Sequence, residues 1–226
     1  MKTIAKLTCL TMALLFAGLA QGQTYTYSSG TLNTLIPDGN LNGMTTSGTI
    51  SGLADAVITD VSVTLDISGG FNGDLYAYLV GPGGQMAVLL NRVGMSSGNA
   101  FGYSDAGFNI TLNQSGANIH NYQSGGTYTL TGGQLTGTWA PDGRHIDPQS
   151  APSAFDAAST AANLAQFNNV NPNGSWTLFL ADVSSGGQST LVNWGLTVVT
   201  VPEPQTWAML AGGAATLLMF RRRARR

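Results

Sequence analysis

The chain has 226 residues and a formal net charge of −2 at pH 7, from nine Lys or Arg and eleven Asp or Glu. Seven of the cations lie at the two ends, so residues 23–200 carry two arginines against ten aspartates, a net charge of −8. This acidic region has no footprint for nucleic acid or for an anionic membrane surface. It also contains no cysteine, which excludes disulfides, a thiol nucleophile and a thiolate metal site there.

The N-terminal segment has the pattern of a secretory signal peptide. Lys2 and Lys6 form a positively charged region, residues 7–19 form an apolar region, and Ala-Gln-Gly at residues 20–22 offers the small residues that a signal peptidase reads. We expect signal peptidase to cut after Gly22. A retained membrane helix is the alternative, but the apolar run is short and polar residues follow at once.

Residues 23–200 predict one all-β domain. Gly, Ser, Thr and Asn separate short β-branched or aromatic runs, as in a sandwich or barrel, and about 180 residues suffice for one core. The clearest strand spans residues 56–67, where Val57, Val61, Val63, Leu65 and Ile67 are expected on the core face. Residues 74–80 and 86–90 flank Gly-Pro-Gly-Gly and predict a hairpin.

The rest of this region predicts further strands and one helix. The expected elements are a strand at 108–112, a strand at 128–135, a surface loop at 137–150, a helix at 153–167, and strands at 176–182 and 191–201. The last two strands are long and aromatic, so we expect them to be central. Trp176 and Trp194 alternate with leucines on these strands and are predicted core residues.

Several short motifs follow one another in the order of a known domain family. They are Ile-Pro-Asp-Gly at 36–39, Ile-Thr-Asp-Val-Ser-Val at 58–63, Phe-Asn-Gly-Asp-Leu at 71–75, Val-Gly-Pro-Gly-Gly at 80–84, Asn-Gly-Ser-Trp-Thr-Leu at 173–178 and Leu-Val-Asn-Trp-Gly-Leu at 191–196. Together they resemble the P domain (P/Homo B domain) that follows the catalytic domain in proprotein convertases and many bacterial subtilases. The resemblance covers about residues 35–199 and implies a jelly-roll-like antiparallel β-sandwich.

Catalysis would need an activated nucleophile with its base, or paired carboxylates. The histidines are His120 and His145, and neither lies in a recognisable catalytic motif. His145 has aspartates on both sides in sequence, so a hydrolase that uses it is one alternative, and a solvated loop histidine is the other. We expect a non-catalytic protein.

Calcium binding is a better candidate function for the aspartates of this region than catalysis. Asp38, Asp60, Asp74 and Asp182 occupy positions within or beside the P-domain-like motifs, where carboxylates next to Gly or Asn turns could supply oxygen ligands. Capping of the local backbone by these aspartates is the alternative. No cofactor is required by any motif, and calcium is retained as a possible one.

A carbohydrate-binding module is a further alternative. Tyr76 and Tyr78 share one face of their strand, and an exposed aromatic pair can stack on sugar rings. Burial under loops is the competing fate of this pair. Exposed aromatics beside Asp or Asn side chains would favour sugar binding.

The C-terminal tail combines three features in a fixed order. Val201, Pro202, Glu203 and Pro204 form a stiff break through which no strand or helix is expected to run. Residues 206–220 are an uncharged apolar run, predicted as a short membrane helix that is helped by Trp207 at one interface and by arginines at the other. The arginines are Arg221, Arg222, Arg223, Arg225 and Arg226.

This order resembles a PEP-CTERM sorting tail. The resemblance implies an exported protein of a Gram-negative bacterium, cut near Pro-Glu-Pro by a membrane exosortase, in a cell that makes exopolysaccharide or biofilm. The expected domains are a signal peptide (1–22), a P-domain-like β-sandwich (23–200) and a sorting tail (201–226). The expected protein is tethered to the membrane transiently and then resides at the cell surface or in the extracellular matrix.

Overall fold

The computed structural model describes residues 22–53, 56–202, 212–214, 218 and 221. In this part of the chain, eleven strands form two sheets around one hydrophobic core. The strands are β1 (Gln23–Ser28), β2 (Thr34–Leu35), β3 (Met44–Ile50), β4 (Ala56–Gly69), β5 (Leu75–Val80), β6 (Met86–Asn91), β7 (Gly107–Leu112), β8 (Thr129–Thr131), β9 (Gln134–Trp139), β10 (Gly174–Asp182) and β11 (Ser189–Pro202). The described residues are therefore mostly β-sheet, as the sequence predicted, and are arranged in two sheets.

The larger sheet has the order β1-β11-β4-β7-β9-β8, and β2 pairs with the beginning of β11. The smaller sheet has the order β3-β10-β5-β6. β10 and β11 are both flanked by strands, which confirms the prediction that these long strands are central. Trp176 of β10 and Trp194 of β11 are fully buried in the shared core, as their alternation with leucines predicted.

The predicted strand at 56–67 is β4, but one of its core assignments is wrong. Val61, Val63, Leu65 and Ile67 are buried, whereas Val57 is half-buried. Val199 pairs with Asp60 and Thr200 pairs with Ile58, so Thr59 is an extra residue in the ladder. This bulge reverses the alternation and places Ile58, instead of Val57, in the core.

The predicted hairpin is confirmed as β5 and β6. Tyr76 pairs with Asn91 at one end of the ladder and Val80 pairs with Met86 at the other. The Gly81 N–H donates to the Gln85 carbonyl at 2.9 Å and closes the turn. β6 is the edge strand of the smaller sheet.

The expectation of one strand at 128–135 is wrong, because this segment contains a turn between β8 and β9. Gly132 and Gly133 have φ values of +61° and +92°, which suit glycine at the centre of a two-residue hairpin turn. β9 then pairs with β7 in parallel. The purely antiparallel arrangement is therefore also wrong, since the long connection after β7 returns the chain beside it in the same direction.

The expected helix at 153–167 is wrong as a continuous element. The structure has a short helix α1 (Pro152–Ala157) and a 3-10 helix, Leu164–Phe167. Between them, the Ala162 carbonyl accepts a hydrogen bond from the Val88 N–H of β6, and the Ala162 N–H donates to the Gly143 carbonyl. This intervening segment therefore covers the edge of the smaller sheet, which satisfies backbone groups that a continuous helix would have used internally.

Two other short 3-10 helices occur at Asn72–Asp74 and Ile119–Asn121. Within the described residues, no helix is long and apolar enough to cross a membrane. The predicted signal peptide, apart from Gly22, lies outside the described residues, as does most of the predicted membrane helix at 206–220.

Candidate functional site

The end of β11 is continuous with the predicted sorting tail. Residues 200–202 pair in register with residues 58, 57 and 56 of β4, so the strand includes Val201 and Pro202. The predicted strand at 191–201 is therefore confirmed and extends by one residue, to Pro202, whereas Glu203 and Pro204 of the expected break lie outside the described residues. β1 pairs with β11 only as far as Thr200, so the missing N–H of Pro202 falls where β11 has a neighbour on one side only.

The first strand of the domain lies beside the last part of β11. Gln23 pairs with Thr200, and Ser28 pairs with Gly195. The hydroxyl of Thr200 donates to the Gln23 carbonyl at 3.4 Å, and Thr200 is buried. A side chain built at Gly22 would begin 3.3 Å from the Thr200 carbonyl oxygen. The predicted signal-peptide junction and the beginning of the tail are therefore neighbours, and we call residues 22–23 and 200–202 the terminal junction.

Tyr27 fastens β1 to the rest of the domain. Its ring lies 5.0 Å from that of Trp194, measured between centroids, and its hydroxyl donates to the Ser47 carbonyl of the smaller sheet at 3.3 Å. A Cβ at Gly48 would lie 2.5 Å from the Tyr27 ring, so only glycine leaves room for this packing. The N-terminal strand thus contacts both sheets. These contacts add to the backbone pairing of a short edge strand, which alone would give little stability.

The remaining sorting residues lie mostly outside the described part of the chain. Arg221 is an exposed helical residue. The others, namely Glu203, Pro204, Trp207, Arg222, Arg223, Arg225 and Arg226, are outside the described residues. Their predicted roles in sorting and anchoring stay predictions.

The structure brings three of the four predicted calcium aspartates to one end of the domain. Asp74 precedes β5, Asp182 ends β10, and Asp38 interacts electrostatically with both of them. Asp60 lies elsewhere, on β4 opposite Val199. We call Asp38, Asp74 and Asp182 the acidic cluster, and the topology of β5 and β10 is what unites residues so distant in sequence.

Arg92 already provides a positive charge to this cluster. Its guanidinium lies 3.5 Å from the Asp74 carboxylate and donates to Ser184 Oγ at 3.2 Å and to the Gly73 carbonyl at 3.0 Å. Burial lowers the pKa of Arg92, and the Asp74 charge opposes that effect. In the part of the chain that the structure describes, no three His, Cys, Asp or Glu side chains are arranged to hold a metal ion.

Burial shifts the protonation of two members of the acidic cluster. It raises the pKa of Asp74, although hydrogen bonding to Ser184 and the charge of Arg92 act in the opposite direction. Burial, followed by the charges of Asp74 and Asp38, raises the pKa of Asp182 to about 6. Asp182 Oδ2 accepts a hydrogen bond from Ser189 Oγ at 3.3 Å, whereas Oδ1 is buried without a hydrogen-bond partner. The Asp182 carboxyl therefore holds its proton to a higher pH than an unperturbed aspartate does.

The histidine that sequence reasoning singled out is not the one that meets a carboxylate. His145 is exposed and forms no hydrogen bond or ion pair within the described residues. His120 is buried, with Nδ1 at 2.6 Å from Asp142 Oδ2 and Nε2 at 2.9 Å from the Met95 carbonyl. Both ring nitrogens of His120 face oxygen acceptors, so neither is free to activate a nucleophile.

Asp142, the partner of His120, belongs to the predicted surface loop at 137–150. That prediction is wrong for the first half of the segment. Residues 137–139 belong to β9, and residues 141–144 are buried. Asp142 also accepts hydrogen bonds from the Arg144 N–H and guanidinium, both at 3.2 Å, and Arg144 Nε donates to the Phe155 carbonyl at 3.0 Å. The charged residues of this loop thus form an internal network, which their polarity alone did not indicate.

Tyr76 and Tyr78 are half-buried on one side of the smaller sheet, where Phe179 joins them. Tyr78 and Phe179 stack with their ring centroids 4.6 Å apart, and Tyr76 lies 5.7 Å from Tyr78. Phe179 pairs with Tyr78 in the β10–β5 ladder, which explains the contact. The aromatic surface is therefore larger than the predicted pair, and alternation within β10 was the signal for its third member.

A family model described as the PEP-CTERM protein-sorting motif matches residues 200–223. The tail carries a sorting motif. This motif implies export, targeting to exosortase, which is a membrane protease, and membrane anchoring through the tail before release. The matched region begins at Thr200, inside β11, so the motif overlaps the folded domain by three residues.

Solved structures that are similar to this chain include two of the Aeromonas sobria serine protease. The protease in complex with its chaperone ORF2 has a TM-score of 0.47, 15% identity and coverage of 86% of this chain. The protease alone has a TM-score of 0.45, 15% identity and coverage of 83%. The match takes in 29% of each of those chains, and at these values it carries no argument about function. A search of curated proteins finds no match.

Proposed function

We propose that this chain is an exported, exosortase-processed, non-catalytic protein of the cell surface or extracellular matrix, associated with exopolysaccharide or biofilm in a Gram-negative bacterium. Its two-sheet domain is a P-domain-like, jelly-roll-like β-sandwich that is delivered by a signal peptide. The sorting motif at residues 200–223, directly continuous with a central strand, is the observation that carries this proposal.

The geometry of the terminal junction supports this function. The signal-peptide junction and the tail leave the same end of the domain, because β1 begins where β11 ends. Before processing, both flanking segments can therefore enter one membrane without crossing the folded domain. The chemistry of the domain supports a non-catalytic role, since His145 meets no carboxylate in the described residues and His120 has both nitrogens engaged.

Replacement of motif residues beyond β11 tests the processing function. We expect Glu203→Ala and Pro204→Ala to leave the tail uncut in cells that contain exosortase, whereas Gln205→Ala, as the neighbouring control, is processed like the parent. Intact mass and fractionation of the chain, with and without exosortase, measure this result. Tail removal that is equal in both strains would contradict the proposal.

Sugar binding is a second candidate, favoured by the half-buried surface of Tyr76, Tyr78 and Phe179. A pull-down with exopolysaccharide from the producing cell tests it. Binding that is weakened by Tyr78→Ala, but not by replacement of the highly exposed Phe101, would establish a carbohydrate-binding module. Equal retention of both variants would leave the surface with a purely structural role.

A further inference from the structure

The last residues of β11 are poorly placed for proteolysis. Thr200 is buried, and its backbone lies between β1 and β4. Val201 and Pro202 still pair with β4. A protease needs a segment that can leave its neighbours and enter an active site, and such segments come from the least stable parts of a fold. A central strand of the larger sheet is the opposite kind of segment.

β1 adds a second restraint at the same place. The strand follows directly on Gly22, and it covers β11 from Gly195 to Thr200. Its attachment depends on Tyr27, which contacts Trp194 and Ser47. Release of the end of β11 therefore requires separation from β4 and, for Thr200, from β1 as well.

We propose that the folded domain sets the N-terminal limit of tail cleavage: the scissile peptide bond lies C-terminal to Pro202, and the mature chain keeps all of β11. The inference rests on the proposed function, because it takes processing of the tail as given. Hydrolysis breaks one peptide C–N bond, and it leaves a carboxylate on the mature chain and an amine on the released tail. The paired segment at residues 200–202 is thus part of the mature domain, although the sorting motif includes it.

Mapping of the C-terminal peptide of the mature protein tests this limit in producing cells. We expect the mature chain to end at Pro202 or at a later residue. A mature end at Val201 or earlier would overturn the inference while leaving exosortase processing intact. A tail that stays uncut would instead contradict the proposed function, so the two failures are distinguishable.

Limited proteolysis of the purified full chain in detergent tests the same limit without exosortase. A protease of broad specificity is expected to remove the tail and to leave residues 189–202 attached to the domain. Cuts within residues 189–201 that form as fast as cuts in the tail would overturn the inference.

Variants of β1 test whether the N-terminal strand contributes to this protection. Tyr27→Ala removes the contacts with Trp194 and Ser47, so cuts before Pro202 should form roughly tenfold faster than in the parent chain. Thr26→Ala is the matched control, because the neighbouring side chain is exposed on the same strand. Equal cutting of the two variants would overturn the role assigned to β1.

Discussion

The two ends of β11 are held by different interactions. At its C-terminal end, the terminal junction is formed by backbone pairing of β1, β11 and β4. The Tyr27 side chain also attaches β1 to β11 through its contact with Trp194. At its N-terminal end, Ser189 contacts Asp182 of the acidic cluster. Thirteen strand steps separate these ends, roughly 40 Å of extended chain. The domain thus separates the end that is processed from the end that concentrates buried charge.

Because the two ends are far apart, we expect substitutions at the acidic cluster and substitutions in β1 to affect different properties of the protein. Charge changes in the acidic cluster should alter the stability of the whole domain and leave the position of tail cleavage unchanged. Changes in β1 should destabilise the domain less and should act most strongly on cleavage at the terminal junction. The following predictions test that contrast, from the largest expected effect to the smallest.

Removal of the Arg92 charge should cause the largest loss of stability. Arg92→Met leaves Asp74 and Asp182 buried without their cation, and we expect the free energy of unfolding to fall by about 3 kcal/mol. Arg92→Lys, which keeps the charge but not the planar donor set, should lose less. Urea denaturation measures both, and equal losses would show that the charge does not matter here.

The stability of the domain should rise as the pH falls from 7 to 5. The pKa of Asp182 is raised to about 6 in the folded state, above its value of 3.8 in an unperturbed group, so the folded state binds the proton more tightly. This carboxyl therefore favours folding below its folded pKa, and the benefit is lost as the pH rises through about 6. We expect a gain of about 1 to 2 kcal/mol at pH 5 relative to pH 7.

Asp182→Asn should flatten this dependence, since the amide cannot titrate. Asp60→Asn is the matched control, because it removes the same formal charge from a half-buried aspartate outside the acidic cluster. Thermal unfolding between pH 5 and 7 measures the difference. A parent protein that is less stable at pH 5 than at pH 7 would contradict the effect assigned to Asp182.

Loss of the Tyr27 ring should destabilise the domain by about 1 to 2 kcal/mol, since a half-buried aromatic contact is removed. The Thr26→Ala control should change stability by less than about 0.5 kcal/mol. Chemical denaturation of both variants, together with the cleavage pattern, tests the contrast between the two ends. A cleavage site that moves in Arg92→Met but not in Tyr27→Ala would contradict the expected difference between the two ends of β11.

Calcium should have the smallest effect. Arg92 supplies the positive charge beside Asp74, so we expect addition of EDTA or millimolar calcium to shift the unfolding temperature by less than about 1 °C. A rise of several degrees with calcium, abolished by Asp74→Asn, would show that a cation joins Arg92 at the acidic cluster.

Local patterns predicted the strands that alternate clearly or follow a strong turn signal. β5 and β6 flank Gly-Pro-Gly-Gly, and the tryptophans of β10 and β11 alternate with leucines, so these elements could be identified. β1 was missed because its two alternating tyrosines, Tyr25 and Tyr27, stand among polar Thr, Gln and Ser residues, so the segment has no apolar strand pattern. The inward side of β4 was misassigned near its start because a bulge depends on pairing with β11.

Long-range pairing also decided which candidate residues meet. Sequence context favoured His145, but the fold buries His120 against Asp142, 22 positions away. The acidic cluster likewise joins Asp38, Asp74 and Asp182 through the sheet topology, whereas Asp60 is left apart. The tail motif needed no such information, because its three features are contiguous in sequence. Its overlap with β11 could be seen only in the register of the sheet.

The most direct test of tail processing is the C-terminal sequence of the mature protein from cells with exosortase, compared with cells without it. We expect a chain that ends at Pro202 or later with exosortase and a full tail without it. A tail that is retained in both strains, or a mature chain that ends before Pro202, would contradict this expectation.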